Sequence, residues 1–137
     1  KAGVTEDYLK SWEDKEYVVW IGYQKKMIEV YQNSDIVVLP SYREGMPKSL
    51  IEACAIGRPI VTTNAIGCKE CVDEGINGYK VPVRSEEELA VAIEKLIFSK
   101  ELRLEMGKNS RIKAENEFSQ KIVTGKHLEI YNNLYES

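Results

Sequence analysis

A chain of 137 residues, 43% apolar and 30% charged, has the size and mix of one globular domain. It can bury about two-thirds of its unfolded surface without help from disulfides. A net charge of −3 gives no electrostatic basis for nucleic-acid binding, and no apolar run approaches the ~20 residues of a membrane span.

The elements follow in a legible order. Residues 5–13, TEDYLKSWE, read as a short helix with Thr5 as N-cap. Residues 17–21, YVVWI, form an apolar, β-rich run ended by Gly22 and predict a strand. Residues 24–33 carry Met27, Ile28, Val30 and Tyr31 at near-helical spacing. Asp35 leads into IVVLP, a continuous apolar run expected of a buried strand. A polar loop covers 40–46. Pro47 then opens the helix KSLIEACAI at its first position, where a missing N–H costs little. Gly57 closes that helix, with Pro59 two residues beyond.

Residues 59–63, PIVTT, predict the next strand, 64–68 a loop and 70–73 one helical turn. Asn77-Gly78 is a turn signal, followed by a short strand over 79–83. Ser85 is placed to cap a helix whose first turn holds Glu86, Glu87 and Glu88, a solvated start favoured by the dipole. Its apolar face is Leu89, Ala92, Ile93, Leu96 and Ile97. Helical spacing continues over 102–112, and a last amphipathic stretch covers 119–134. Trp20, Ile36 and Leu39 are expected in the core.

Alternation of strand and helix predicts parallel βαβ units with helices on both sheet faces. Ligands of such sheets bind outside the carboxyl ends of the strands, which points to the loops 22–25 and 40–47. The three cysteines, Cys54, Cys68 and Cys71, are an odd number and fit a reducing cytoplasm better than a disulfide framework. Cys68 and Cys71 make a C-x-x-C pair. A zinc site needs two more ligands, and only Cys54 and His127 remain of soft or imidazole type. The pair reads as two small thiols in a Gly-containing loop.

The segment PSYREGMPKSLIEACAIG, 40–57, carries the chemistry. The first N–H groups of its helix have no internal partners and, with the dipole, suit a diphosphate. The candidate donors are the backbones of Lys48, Ser49 and Leu50. Gly45 lets the backbone approach a ligand closely. Glu52, in the first two turns, can accept two hydrogen bonds from a ribose diol, and the loop residue Glu44 can accept them from a sugar. The plainer readings are a surface Glu44 paired with Arg43 and a Glu52 on a solvated helix face. Tyr23 and Tyr42 border the expected crevice and either stack on a ligand or line the surface.

EGMPKSLIEACAIGRPIV resembles the signature of glycosyltransferase family 4, retaining enzymes of the two-domain GT-B fold, whose mark is Glu, seven residues, Glu: here Glu44 and Glu52. DIVVLPS before it, NAIGCKECVDEGINGYKVP and SEEELAVAIEKLI after it, and the closing EFSQKIVTGKHLEIYNNLY match the family's following segments in order. The resemblance implies an α/β fold, a Rossmann-like parallel sheet flanked by helices. By the same resemblance it would be the C-terminal half-domain of a GT-B glycosyltransferase with the first βαβ unit missing. Residues 1–137 would be one partial domain ending in a helix over 119–135.

The resemblance also implies roles. Glu52 would hold the ribose hydroxyls, and Glu44, the catalytic candidate, would contact the transferred sugar. The amides of Gly45 and Met46 would face the sugar and those of Lys48, Ser49 and Leu50 the phosphates. Gly22, Tyr23 and Gln24 would sit beside the base through backbone contacts. Glu70 matches a recurrent family Glu with an expected structural role, capping or pairing near a helix start. No Asp-x-Asp metal motif occurs, as in a family that uses no metal and no cofactor beyond its sugar nucleotide, most often a UDP-sugar.

The implied reaction is metal-independent transfer of a hexosyl or N-acetylhexosaminyl group to a saccharide or lipid-linked saccharide, with retention, in capsule or other surface polysaccharide assembly. The chain starts at Lys1 without Met. The family's basic diphosphate-binding pair and its N-terminal acceptor domain have no match here. The expectation is therefore a piece of a longer cytoplasmic protein, nearly inactive alone because leaving-group stabilisation and acceptor positioning are lost. Lipid-linked acceptors are compatible with peripheral attachment at the inner face of the cytoplasmic membrane. The C-terminal helix, with Lys121, Lys126 and His127 beside Glu129, makes a poor basic membrane face. Alternatives are a non-catalytic nucleotide-sugar-binding module or another GT-B enzyme, a sugar-phosphate synthase or phosphorylase. A dinucleotide-binding oxidoreductase is disfavoured by the lack of Gly-x-Gly-x-x-Gly.

Overall fold

The structure, a computed structural model, describes residues 18–22, 24–42 and 47–118; the helices expected over 5–13 and 119–135 lie outside them. Three parallel strands, β1 (Val37–Leu39), β2 (Ile60–Thr63) and β3 (Gly78–Val81), pair in the order β1-β2-β3. The helices are α1 (Met27–Gln32), α2 (Lys48–Ile56), α3 (Glu86–Ile97) and α4 (Lys100–Lys113). A 3₁₀ turn spans Lys69–Cys71, and α4 widens into a π-helical turn over Ala114–Phe118. This is the parallel α/β arrangement the alternating pattern predicts.

The central strand organises both layers. All four residues of β2 are buried, and alternate side chains point to opposite faces. Ile60 joins one apolar cluster with Tyr31, Leu50, Ile56 and Phe118. Val61 joins the other, with Val81, Ala92, Leu96 and Met106. Each fully buried aliphatic side chain stabilises the fold by roughly 1.5–3 kcal/mol.

Two glycines mark where backbones meet. A Cβ on Gly78 would stand 1.8 Å from the Ile60 carbonyl oxygen, and one on Gly107 would stand 2.4 Å from that of Gly57. Gly78 therefore lets β3 lie against β2, and Gly107 lets α4 cross the end of α2. The dipeptide that reads as a turn thus opens a strand, and β3 ends two residues before the expected limit. Asn77 is buried. Its side chain accepts from the Asp73 amide (2.7 Å) and donates to the Cys71 carbonyl (3.1 Å) and to Ser110 Oγ (3.3 Å).

Arginines satisfy the C-terminal carbonyls of three helices, which have no intrahelical donor. Arg58 donates to the carbonyls of Tyr31 (2.9 Å) and Gln32 (2.7 Å) at the end of α1. Arg111 reaches Ala55 of α2 (2.7 Å), and Arg103 reaches Leu96 and Ile97 of α3 (2.6 and 2.7 Å). Gly57, at φ 78°, ends α2 as expected, and the Arg58 amide donates back to Ala53.

Several expectations need correction. Val18, Val19, Trp20 and Ile21 belong to no strand, and Trp20 is 38% exposed instead of buried. An apolar run is covered only where a sheet pairs with it, and the described sheet ends at β1, whose own Val38 is exposed. Ile36 and Leu39 are half-buried against the two clusters. Helix α1 starts three residues after the predicted Gln24, because that side chain donates instead to the Ile21 carbonyl (2.6 Å). Ser85 stands at the N-cap of α3 without capping a backbone amide; its hydroxyl donates to the Glu88 carboxylate (3.0 Å). Pro47 occupies the N-cap of α2, one position before the expected first turn. Ile97, assigned to the apolar face of α3, is exposed, while Ala92 and Leu96 are buried.

Glu70 plays the structural part expected of it: its carboxylate accepts from the Gly67 amide (2.9 Å) at the start of the 3₁₀ turn. Cys54, Cys68 and Cys71 are buried free thiols. Burial, then the neighbouring Cys71, pushes the Cys54 pKa from 9.0 up to about 12. Lys113, buried among Asp73 (3.2 Å) and Glu117 (2.9 Å), is lowered by burial, but the hydrogen bonds and charges of those two carboxylates outweigh it and raise its pKa above the ordinary lysine value.

Gly78→Ala is expected to destabilise the fold by about 3 kcal/mol or more. Gly75→Ala, at φ 75° with nothing within 4 Å of the new Cβ, should cost only ~1–2 kcal/mol. Equal losses in urea unfolding would contradict the close approach of β3 to β2. The pH dependence has a fixed sign. Folded-state pKa values of Cys54 and Lys113 lie above the unfolded ones, so the contribution of Cys54 is whole below pH 9.0 and drains from there towards about 12, while that of Lys113 is whole below 10.5 and is lost above it. The urea midpoint should hold steady up to about pH 8.5 and fall above it, less steeply in Cys54→Ala. A midpoint unchanged at pH 11 would argue against the buried thiol.

Candidate functional site

The loop 40–47 leaves the carboxyl end of β1, and α2 begins where the loop returns. Its entry is fixed by β2. Thr62 Oγ1 donates to the Leu39 carbonyl (2.8 Å) and Thr63 Oγ1 donates to the Ser41 carbonyl. Both threonines are buried, so each hydroxyl needs an internal acceptor. In the sequence PIVTT shows only a strand pattern, and the two hydroxyls at the end of an otherwise apolar run are its one local sign of this contact. Glu44, Gly45, Met46 and Tyr23 lie outside the described residues. Tyr42 is exposed, and the Arg84 guanidinium stands 5.1 Å from its ring centre.

At the start of α2 the amides of Lys48 and Ser49 precede the first helical hydrogen bond. The amide of Leu50 does not: it donates to the Pro47 carbonyl at 3.1 Å, as does Ile51 at 3.2 Å. Leu50 is 0% exposed, so its place is in the core and its amide drops out of the expected donor set. Lys48 is exposed and Ser49 half-buried, leaving both available from the loop side.

Six of the nine residues of α2 are buried, yet Glu52 is half-buried, not on the solvated face of the plainer reading. Tyr31, on α1, is close enough for the two side chains to interact electrostatically. Burial, then the charge and hydrogen bond of Glu52, pushes the Tyr31 pKa up to about 12. The hydroxyl thus stays protonated and remains a donor across the ordinary pH range.

Gly22 adopts φ 66°, a conformation that glycine reaches without strain. The amide side chain of Gln24 donates back to the Ile21 carbonyl. A hollow of about 610 Å³ beside it is lined by Gln24, Glu29 and Asn33, and one of about 230 Å³ beside Tyr42 is lined by Thr63, Arg84 and Ser85. Neither reaches Glu52; the two halves of the expected site are joined instead through the Tyr31 contact between α1 and α2. Among the described residues no group of three His, Cys, Asp or Glu is placed to hold a metal ion, and no helix is long and apolar enough to cross a membrane.

Comparison with known proteins places this geometry. The chain is 32% identical over 120 residues to the N,N'-diacetylbacillosaminyl-diphospho-undecaprenol alpha-1,3-N-acetylgalactosaminyltransferase of Campylobacter jejuni, covering 88% of the chain and 32% of that protein. It is 36% identical over 115 residues to the capsular polysaccharide biosynthesis glycosyltransferase CapM of Staphylococcus aureus, covering 84% and 30%. The chain thus spans about a third of the length of these relatives. Among solved structures it resembles a Staphylococcus aureus TarM mutant in complex with Fondaparinux, alpha-GlcNAc-glycerol and UDP. That match has a TM-score of 0.77 and 27% identity, over 98% of this chain and 27% of that one. Residues 3–113 match the family described as glycosyl transferases group 1, and the chain, with its three parallel strands and its Glu52-bearing helix, belongs to that family.

Proposed function

We propose that this chain supplies the sugar-nucleotide side of a glycosyltransferase of polysaccharide or glycoconjugate assembly. The observation that carries the reading is the placement of Glu52. It lies one helical turn beyond the amides of Lys48 and Ser49, on a helix that opens at the carboxyl end of β1. That spacing sets an anion site and a diol acceptor along one ligand. The Lys48 and Ser49 amides take the diphosphate, the Glu52 carboxylate takes the ribose hydroxyls, and the Gly22–Gln24 turn lies beside the base. Glu44, with the amides of Gly45 and Met46, receives the transferred sugar.

The donor in this reading is a UDP-sugar carrying a hexosyl or N-acetylhexosaminyl group, passed with retention to a saccharide or lipid-linked saccharide acceptor. Support comes from the relatives: the TarM mutant is seen with UDP, and the Campylobacter enzyme is named for transfer to a diphospho-undecaprenol-linked sugar. The developing charge on the departing diphosphate is met by oriented amides and the positive end of the α2 dipole, with no metal ion in the scheme. An acceptor of that kind brings the protein to the cytoplasmic face of a membrane.

Titration of the chain with UDP, GDP and ADP, followed by amide NMR, tests the reading. UDP should shift Lys48, Ser49 and Gly22 most, and Glu52→Ala should weaken it about tenfold or more, as expected for losing hydrogen bonds to a charged acceptor. Shifts of equal size for all three nucleotides that survive Glu52→Ala unchanged would sink the donor-site assignment.

A further inference from the structure

Among the described residues Arg84 alone pairs a side chain with a positive φ, at 61°. A left-handed backbone strains a residue that carries a Cβ, and glycine would make the same turn between β3 and α3 freely. An arginine kept there calls for a use of its side chain. That side chain is committed to Tyr42: the guanidinium stands 5.1 Å from the ring centre, within cation–π range. Both residues are exposed, and their contact joins the carboxyl end of β3 to that of β1. Thr63, the last residue of β2, fixes the residue before Tyr42 through the hydrogen bond of its hydroxyl to the Ser41 carbonyl. The ring is thus held from two sides at the end of a parallel sheet where ligands bind. The hollow of about 230 Å³ beside it is bounded by Pro40, Thr63 and Pro82, which stand at the ends of all three strands. Its volume falls below the ~300–1,000 Å³ of drug-sized sites and suits one sugar ring.

We propose that Tyr42 contacts the transferred sugar of the donor and that Arg84 is its positioning residue: the strained turn sets the guanidinium against the ring, and the ring presents an apolar face to the C–H face of the sugar. The inference rests on the reading of this sheet end as the sugar-nucleotide site. It adds the pair of residues that tells a sugar nucleotide from the bare nucleotide. The residue types suit the task. An aromatic ring offers a large contact area with few rotatable bonds, and a planar guanidinium stacks on it where a lysine would end in a point charge. At 63% exposure Tyr42 keeps surface open to a ligand while Arg84 bears on it. The left-handed turn lowers stability at a place where glycine would relieve it, so the arginine side chain is there for binding and not for the fold.

The test measures binding of UDP, UDP-glucose and UDP-N-acetylglucosamine by amide NMR, with urea unfolding alongside. The proteins are the wild-type chain, Tyr42→Ala, Tyr42→Phe, Arg84→Ala, Arg84→Gly and the double variant Tyr42→Ala/Arg84→Ala. Tyr42→Ala and both Arg84 variants should weaken at least one UDP-sugar about fivefold and UDP less than about twofold. Tyr42→Phe keeps the ring and should bind as wild type. The double variant should be no weaker than Tyr42→Ala alone, because Arg84 acts through the ring. Arg84→Gly, freed of strain, should unfold at a urea midpoint no lower than that of wild type. Equal losses for UDP and the UDP-sugars, or a lowered midpoint in Arg84→Gly, would mean a structural role only and would overturn the inference. So would UDP-sugar binding that survives Tyr42→Ala unchanged; the donor-site reading then still stands where Glu52→Ala weakens UDP. If wild type binds neither UDP nor a UDP-sugar at millimolar concentration, the donor-site reading falls and takes the inference with it.

Discussion

Everything at the site depends on how tightly α2 is held. Six of its nine residues are buried, and it is covered by α1 on one flank and by α4 with the π turn on another. A helix packed on this much of its surface has no freedom to roll. Rolling by one residue would carry Leu50 or Cys54 into water and bring Lys48 into the core, at a cost of several kcal/mol in lost burial. The direction of the Lys48 and Ser49 amides and the half-buried position of Glu52 follow from that packing.

The same packing separates the two poles of the helix. At the closing end of α2, Gly57 turns the chain, Gly107 allows α4 to cross, and the buried Arg111 takes the Ala55 carbonyl. Arg58 does the same for α1, and Arg103 for α3. Arg58 and Arg103 line one hollow of about 670 Å³ together with Gly57, so cations gather where helix dipoles are negative. At the opening end of α2, next to β1, the Pro47 carbonyl accepts from the Leu50 and Ile51 amides, and the arginines described here stand at the closing ends of the helices instead.

The patterns that the sequence displays most clearly are local ones. The strand over β2, the span of α2 and its stop at Gly57 follow from a continuous apolar run, a Pro-opened helix and a glycine in the left-handed region, each read within a few residues. The role of Glu70 is of the same kind, since its partner Gly67 is three residues away. What escaped was set by distant partners. Asn77 reads as a turn residue, yet it is buried because Cys71 and Ser110 surround it. The run 18–21 reads as a core strand, but burial depends on a neighbouring strand, which no local pattern reports. In the candidate site, the half-buried place of Glu52 on its helix is readable locally, whereas its neighbour Tyr31 lies on a different element and looks like any apolar helix residue. Leu50 was misread for the opposite reason: counting unpaired amides from the helix start ignores the Pro47 carbonyl, which accepts from the third of them.

That correction changes what α2 can do for a diphosphate. The helix offers two leading amides and a dipole equivalent to roughly half a positive charge, against a group carrying about two negative charges. Oriented amides at that strength select the position of the phosphates more than they neutralise them. The remaining charge calls for cations, and among the described residues Lys48 is the one at the helix start with an exposed side chain. In the proposed reading Glu52 adds to this demand, because a half-buried carboxylate one turn away repels the phosphates.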